Sequence, residues 1–249
     1  MPSAFPRPSR ALPIVAPGEE LSGSGPERLE RLARRCRPGD DVHRAILFAT
    51  ATLARHGVAR CIAPGAQPLL VPALDLAEGW ARGHTDERSV LKARSDAFNA
   101  CPAIERKTIE AVAALSLEDS GTAIDAHAAA IVLRYAGLAA YQASVASLLV
   151  LDAVRSPAAA VAAPSDVAGA LGYQLSALGV ARSTKIRRAA WDKAEWELER
   201  QGAPPGHGRE ALAIQLFHEF LGAAWKDHSD AYRAYFAEFL DWALAPASS

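Results

Sequence analysis

The stretch TAIDAHAAAIVLRYAGLAAYQASVASLLVLDAV, residues 122–154, decides how this chain is read. Alanine, valine, leucine and isoleucine run through it, and its polar residues do not gather on one side. A helix that is apolar on nearly every side has to be buried on nearly every side. Other helices must therefore surround it. The stretch predicts a central helix, or a pair divided at Gly137, inside an all-helical protein. Thr122 and Asp125 have the spacing of a capping box at its start. The few polar residues held in this apolar run are the candidate binding residues: Asp125, His127, Arg134 and Tyr135. Arg134 is the sharpest of them. Leaving a buried guanidinium without its carboxylate costs about 3–5 kcal/mol, so Arg134 calls for Asp125, Asp75 or Glu78 as a partner. Two readings stand side by side: a structural ion pair joining helices, or a polar group lining a pocket.

Outward from this stretch, helix signals repeat on both sides. Pro26 can open a helix through Leu29 and Leu32 that stops before Pro38-Gly39. Asp40 or Asp41 can cap the next, ending near His56-Gly57. Leu70, Ala73, Leu74, Ala77, Trp80 and Ala81 form a helical stripe closed by Gly83. Thr85 to Phe98 reads as a further helix, broken at Pro102 and followed by a short one to about Leu115. Beyond the central stretch, Pro157 and Pro164 bound an Ala-rich piece. Ser165-Asp166 caps a helix that Gly179 ends, and Thr184 to Arg200 forms another. Ala213, Leu216, Phe217, Phe220, Leu221 and Ala224 make one apolar stripe. Tyr232, Tyr235, Phe236, Phe239, Leu240 and Ala243 make a second with the same spacing, so the two should close as a C-terminal antiparallel helical hairpin. The sum is an all-α array of about 10–12 helices. Residues 25–249 are expected to form one helical domain behind a loose, Pro-rich segment, 1–24, whose prolines at 2, 6, 8, 13 and 17 leave it little to bury.

Composition narrows the function. The 249 residues carry 28 acidic and 27 basic side chains, so the chain has no general attraction for nucleic acid or anionic lipid. Basic clusters at Arg28, Arg31, Arg34, Arg35 and Arg37, and at Arg182, Lys185, Arg187 and Arg188, are answered by nearby glutamates and aspartates and read as solvated faces. Cys36, Cys61 and Cys101 are scattered and odd in number, which speaks for reduced thiols in a cytoplasmic protein. No window of about 20 uninterrupted apolar residues suggests a membrane span.

Motifs for catalysis or cofactors do not assemble. His218-Glu219 lacks a second histidine one turn on, so the zinc-protease pattern is incomplete. Glu-x-x-His, needed twice for a di-iron bundle, does not occur. Gly202-Ala-Pro-Pro-Gly-His-Gly208 has glycines but neither the strand before nor the Lys-Ser/Thr after that a phosphate loop needs. No metal and no cofactor is expected.

Ala73-Leu-Asp-Leu-Ala-Glu-Gly-Trp-Ala-Arg-Gly83, the Ala-rich segment Arg94–Ala100, and Asp125-Ala-His-Ala-Ala-Ala130 resemble bacterial immunity proteins of polymorphic toxin systems. Those are Ala-rich helical proteins with a similar Ala-x-x-Trp-x-x-Gly pattern and a similar Ala-His-Ala-Ala pattern. The likeness spans about residues 40–150. It implies a non-catalytic protein that binds and neutralises a cognate toxin, without nucleic acid or membrane as partner. The alternative is an enzyme with a small-molecule pocket among the central helices around His127, Arg134 and Tyr135.

Overall fold

A computed structural model describes residues 25–114, 123–182, 184–204 and 208–220, with the single positions 222, 226 and 234. Among these residues there are no strands. The helices are α1 (Gly25–Arg35), α2 (Asp41–Cys61), α3 (Val71–Ala81), α4 (Glu87–Ala113), α5 (Ala123–Asp152), α6 (Ala159–Arg182) and α7 (Thr184–Arg200), with a 3-10 turn at Gln67–Leu69 before α3. Residues 209–220 form a further helix, α8. The all-α reading is correct. The N-terminal segment 1–24, Thr122 of the capping box, and the second stripe of the hairpin lie outside the described residues, apart from position 234, which is helical.

Local chemistry places the ends. Asp40 is extended and its carboxylate accepts from the backbone N–H groups of His43 and Arg37, both at 2.7 Å, which opens α2. Asp86 does the same for α4 through Ser89 N–H at 2.8 Å. α3 closes as a Schellman motif. Gly83 takes a φ of +78°, its N–H donates to Trp80 C=O at 2.9 Å, and His84 N–H donates to Gly79 C=O at 2.7 Å.

Helices run longer, and are fewer, than the prolines and glycines suggested. α4 passes through Pro102. That proline is exposed, so the Phe98 carbonyl it deprives of a donor lies on the solvent side, where water can satisfy it. α6 begins at Ala159 and contains Pro164, so Ser165-Asp166 is no cap. Asp166 is instead half-buried within the helix, and burial raises its carboxyl pKa. α6 also continues past Gly179 to Arg182. Gly137 does not divide α5. A Cβ there would lie 3.1 Å from Ile109 Cδ1, so the glycine admits α4 to close range.

α5 packs against α2, α3, α4 and α6, and most extensively against α6. It is the central helix its composition demanded. Small side chains let both helices sit deep in the core: Ala139, Ala143 and Ala146 of α5 and Ala160, Ala163 and Ala170 of α6 are all fully buried. Two pairs fix the antiparallel register: Tyr135 beside Tyr173, and Gln142 against Gly169. α4 is antiparallel to α5 on another side. There Arg94 pairs bidentately with Asp152 at 2.9 and 3.1 Å, Cys101 lies against Ser144, and Ile109 meets Gly137. Buried side chains form two clusters. The larger joins α1 to α6. The smaller gathers Ala128, Ile131 and Val132 of α5, Ala177 of α6, Ala190 and Ala194 of α7, and Ala213, Leu216 and Phe217 of α8. No helix among the described residues is long and apolar enough to cross a membrane.

Candidate functional site

The four residues singled out in α5 meet different fates. Asp125 is bonded to Arg187 Nε of α7 at 3.0 Å, with only 11% and 13% of the two side chains exposed. This is an ion pair joining two helices. It uses an arginine that the sequence placed on a solvated face. Arg134 is not the buried cation its neighbours implied; it is exposed. Its apolar neighbours Ile131, Val132 and Ala136 face inward while residue 134 falls on the outer side of the turn. Neither alternative carboxylate is available to it, because Asp75 and Glu78 both hold Arg55 across the α2–α3 contact. The contrast is testable by thermal melting. Asp125→Ala leaves Arg187 desolvated without its anion and should cost roughly 1–3 kcal/mol, whereas Arg134→Ala should stay within about 0.5 kcal/mol of the wild type. Equal effects would remove the distinction.

Tyr135 is half-buried and lies against Tyr173 of α6, ring centroids 5.6 Å apart. Its surroundings are therefore partly aromatic and partly solvent, suited to a contact surface or a shallow cleft.

His127 reaches α8. Its Nε2 stands 2.8 Å from Nε2 of His218, with the ring planes at 79°. Phe217 lies beside both rings, at 6.5 Å from His127 and 6.4 Å from His218, and is itself fully buried. An N···N separation of 2.8 Å is a hydrogen bond, so one Nε2 carries the proton and the other accepts it. Burial, and secondarily the charge of His218, lowers the His127 pKa. No cluster of three or more histidine, cysteine, aspartate or glutamate side chains that could hold a metal ion occurs among the described residues. Sequence reasoning weighed His218 only for a zinc-protease pattern; its partner is 91 positions away, and no local spacing could announce it.

A third histidine also escaped notice. His43 is completely buried. Its Nδ1 accepts from Gly39 N–H at 2.8 Å, and its Nε2 lies 2.5 Å from Ala153 C=O, which has only lone pairs to offer. The ring is thus the neutral Nε2–H tautomer, standing edge-on to Trp80 with centroids 5.0 Å apart. It links the entry to α2, the end of α3 and the exit from α5, which makes it a structural residue of the core. Burial lowers its pKa. Burial likewise lowers His56 to about 4, raises Cys36 to about 11 and raises Cys61 to about 12. Thiols held so far above neutrality are poor nucleophiles.

The remaining feature is on the outside. On the outer edge of the α4–α5 seam, Phe98 and Tyr141 are 56% and 55% exposed. Helical periodicity puts Phe98, Glu105 and Ile109 on the α5-facing edge of α4, and Arg134, Tyr141 and Leu148 on the α4-facing edge of α5. Arg94, which closes one end through Asp152, also lies over the Phe98 ring at 5.5 Å. Two large exposed aromatics on a packed helix pair, one of them with the half-buried Arg94 over its ring, have the composition of a protein-binding surface.

The chain matches no family model, no curated protein and no solved structure.

Proposed function

We propose that this chain is a non-catalytic, helical protein-binding protein, and that it acts as a bacterial, cytoplasmic immunity protein that neutralises a cognate toxin. The observation that carries the binding reading is the exposure of Phe98 and Tyr141 on the α4–α5 seam, each more than half exposed, while the other described large apolar side chains of these helices are buried or half-buried. Tyrosine, tryptophan and arginine dominate the energetics of protein interfaces because they bury much area at small entropic cost, and Arg134 and Tyr141 share one edge of α5. The immunity assignment adds the resemblance in residues 40–150 to this surface. The site residues of α5 fit the same reading better than an enzyme's pocket: Asp125 is neutralised by Arg187, His127 is turned to His218, and Arg134 faces outward.

The test is affinity capture from the native host with the wild-type chain and with the Phe98→Ala/Tyr141→Ala variant. Both side chains already sit in water, so the double variant should melt within about 1 kcal/mol of the wild type. A stoichiometric partner held by the wild type should be lost or weakened by two orders of magnitude or more, on the scale of two hot spots at about 2 kcal/mol each. The immunity form requires in addition that this partner be toxic when produced alone and harmless when produced with the chain. A partner retained equally by both proteins would overturn the assigned surface. A harmless partner would overturn the immunity form.

A further inference from the structure

The geometry points to a proton-operated latch: the N–H···N bond between His127 and His218 holds α8 against α5 while the pair carries at most one ionising proton, and lets α8 go when both rings are protonated. This stands apart from the proposed function and from the α4–α5 surface.

The argument starts with the bond. Two imidazole Nε2 atoms 2.8 Å apart can share one hydrogen and no more. A neutral pair satisfies this, and so does a pair with one ring charged. A doubly protonated pair cannot, since it sets two N–H donors and two positive charges head to head. The rings must then part.

What they would part is a helix held by few contacts. α8 contributes Ala213, Leu216 and Phe217 to the smaller cluster, with Leu212 and Phe220 packed partly buried against it. Its other described ties are Arg209, which pairs with Glu195 of α7 and stacks on Trp191 at 4.3 Å, and Phe220, which lies under Lys193 at 5.7 Å.

The surrounding charges leave the second proton unsupported. On α5, Asp125 is already bound to Arg187 of α7, and Arg134 is a further cation at the surface. On α8, Glu219 accepts from Gln215 at 3.2 Å, and Arg209 is held by Glu195. On α7, Lys193 lies over Phe220 at 5.7 Å and pairs with Glu197. α6 brings Ala177 and has no charged residue between Val167 and Gly179. α4 touches the cluster through Val112, and its nearby Arg106 and Glu110 pair with each other at 3.8 Å.

The direction follows from linkage. A released histidine takes its proton at about 6.5, whereas the docked His127 is held below that value by burial and by His218. Closure is therefore fully favoured above about pH 6.5 and weakens below it, by up to roughly tenfold in the docking equilibrium per pH unit for one suppressed proton.

The experiment is amide hydrogen exchange on the full chain at about pH 7.5 and 5.5, expressed as protection factors, in the wild type and in His218→Gln. Glutamine can donate to His127 but does not titrate. The expected result is a loss of protection in residues 209–220 of the wild type at the lower pH, by roughly tenfold, while α2 amides keep theirs. In His218→Gln the 209–220 protection should change clearly less with pH, since only the burial of His127 still opposes its proton. His127→Gln removes that group as well and should leave the protection the same at both pH values, which guards against one variant having lost α8 altogether. Three results would overturn the latch: protection in 209–220 that does not change with pH in the wild type, the same change in both glutamine variants, or loss in α2 in step with α8.

Discussion

Phe217→Ala should lower the melting temperature by more than any other substitution in α8, at a cost of about 3–5 kcal/mol. Phe217 is fully exposed to packing on every side and to solvent on none. The fully buried part of the cluster around it is otherwise built of Ala128, Ala177, Ala190, Ala194 and Ala213 with Ile131, Val132 and Leu216, so its immediate core is mostly single methyl groups that cannot fill the space left behind. An unfilled cavity is what takes such a substitution to the upper part of the range. The loss is a large share of the roughly 5–15 kcal/mol that holds an ordinary domain together. Thermal and urea unfolding followed by circular dichroism measure it. A change below about 1 kcal/mol would mean that α8 does not pack as described.

His43→Leu is the second large effect, and its cause is polar. The substitution keeps the volume apolar but strands the buried Ala153 C=O, which His43 satisfies, while the N–H of exposed Gly39 can turn to water. A buried polar group without a partner costs about 1–3 kcal/mol, and the lost contact to Trp80 places His43→Leu at the upper end of that range. Stability should also fall with acid. The folded state keeps His43 neutral, with its pKa lowered by burial, and keeps His56 at about 4. In the unfolded chain both protonate near 6.5. Their contribution is complete above about pH 6.5 and drains away as the pH falls from there through the folded values, His56 reaching its limit near pH 4. His43→Leu removes one of these two groups, so its stability profile should be flatter over that interval than the wild type's. A variant equally acid-sensitive would show that His43 is not held neutral.

Much of the architecture could be read from residue order because it is set by local patterns. The unbroken apolar run at 123–152 required a surrounded helix, and α5 has neighbours on several sides. Asp40 announced a helix start and Gly83 an end, through backbone groups only a few residues away, while the next helix starts one residue later than read, capped by Asp86 and not by Thr85. Breaks were overcounted because a proline's effect depends on which way its helix faces, and Pro102 happens to face water. The candidate site was harder to read. Arg134 and Arg187 exchange the roles that their sequence neighbours suggested: the cation in the apolar run is exposed, and the cation in the basic run is paired with Asp125 inside. Such an exchange depends on helical phase and on the approach of a helix about sixty positions away. His127 was noticed for its apolar setting; the bond that gives it meaning needs His218, and with it the full path of the chain from α5 to α8.

The alanines buried along α5 and α6 also change which kinds of variation this chain can absorb. In a core of leucines and phenylalanines the usual injury is loss, a side chain cut short and a hole left behind. Along these two helices there is little to cut: Ala139, Ala143, Ala146, Ala160, Ala163 and Ala170 each present one methyl group. Growth is the larger injury there, since each added carbon must push packed helices apart. The tolerance of the molecule is thus inverted along its central helices. Drift toward glycine would cost about 1 kcal/mol per position in helix propensity, while drift toward the larger aliphatics that most cores welcome would be closed to it.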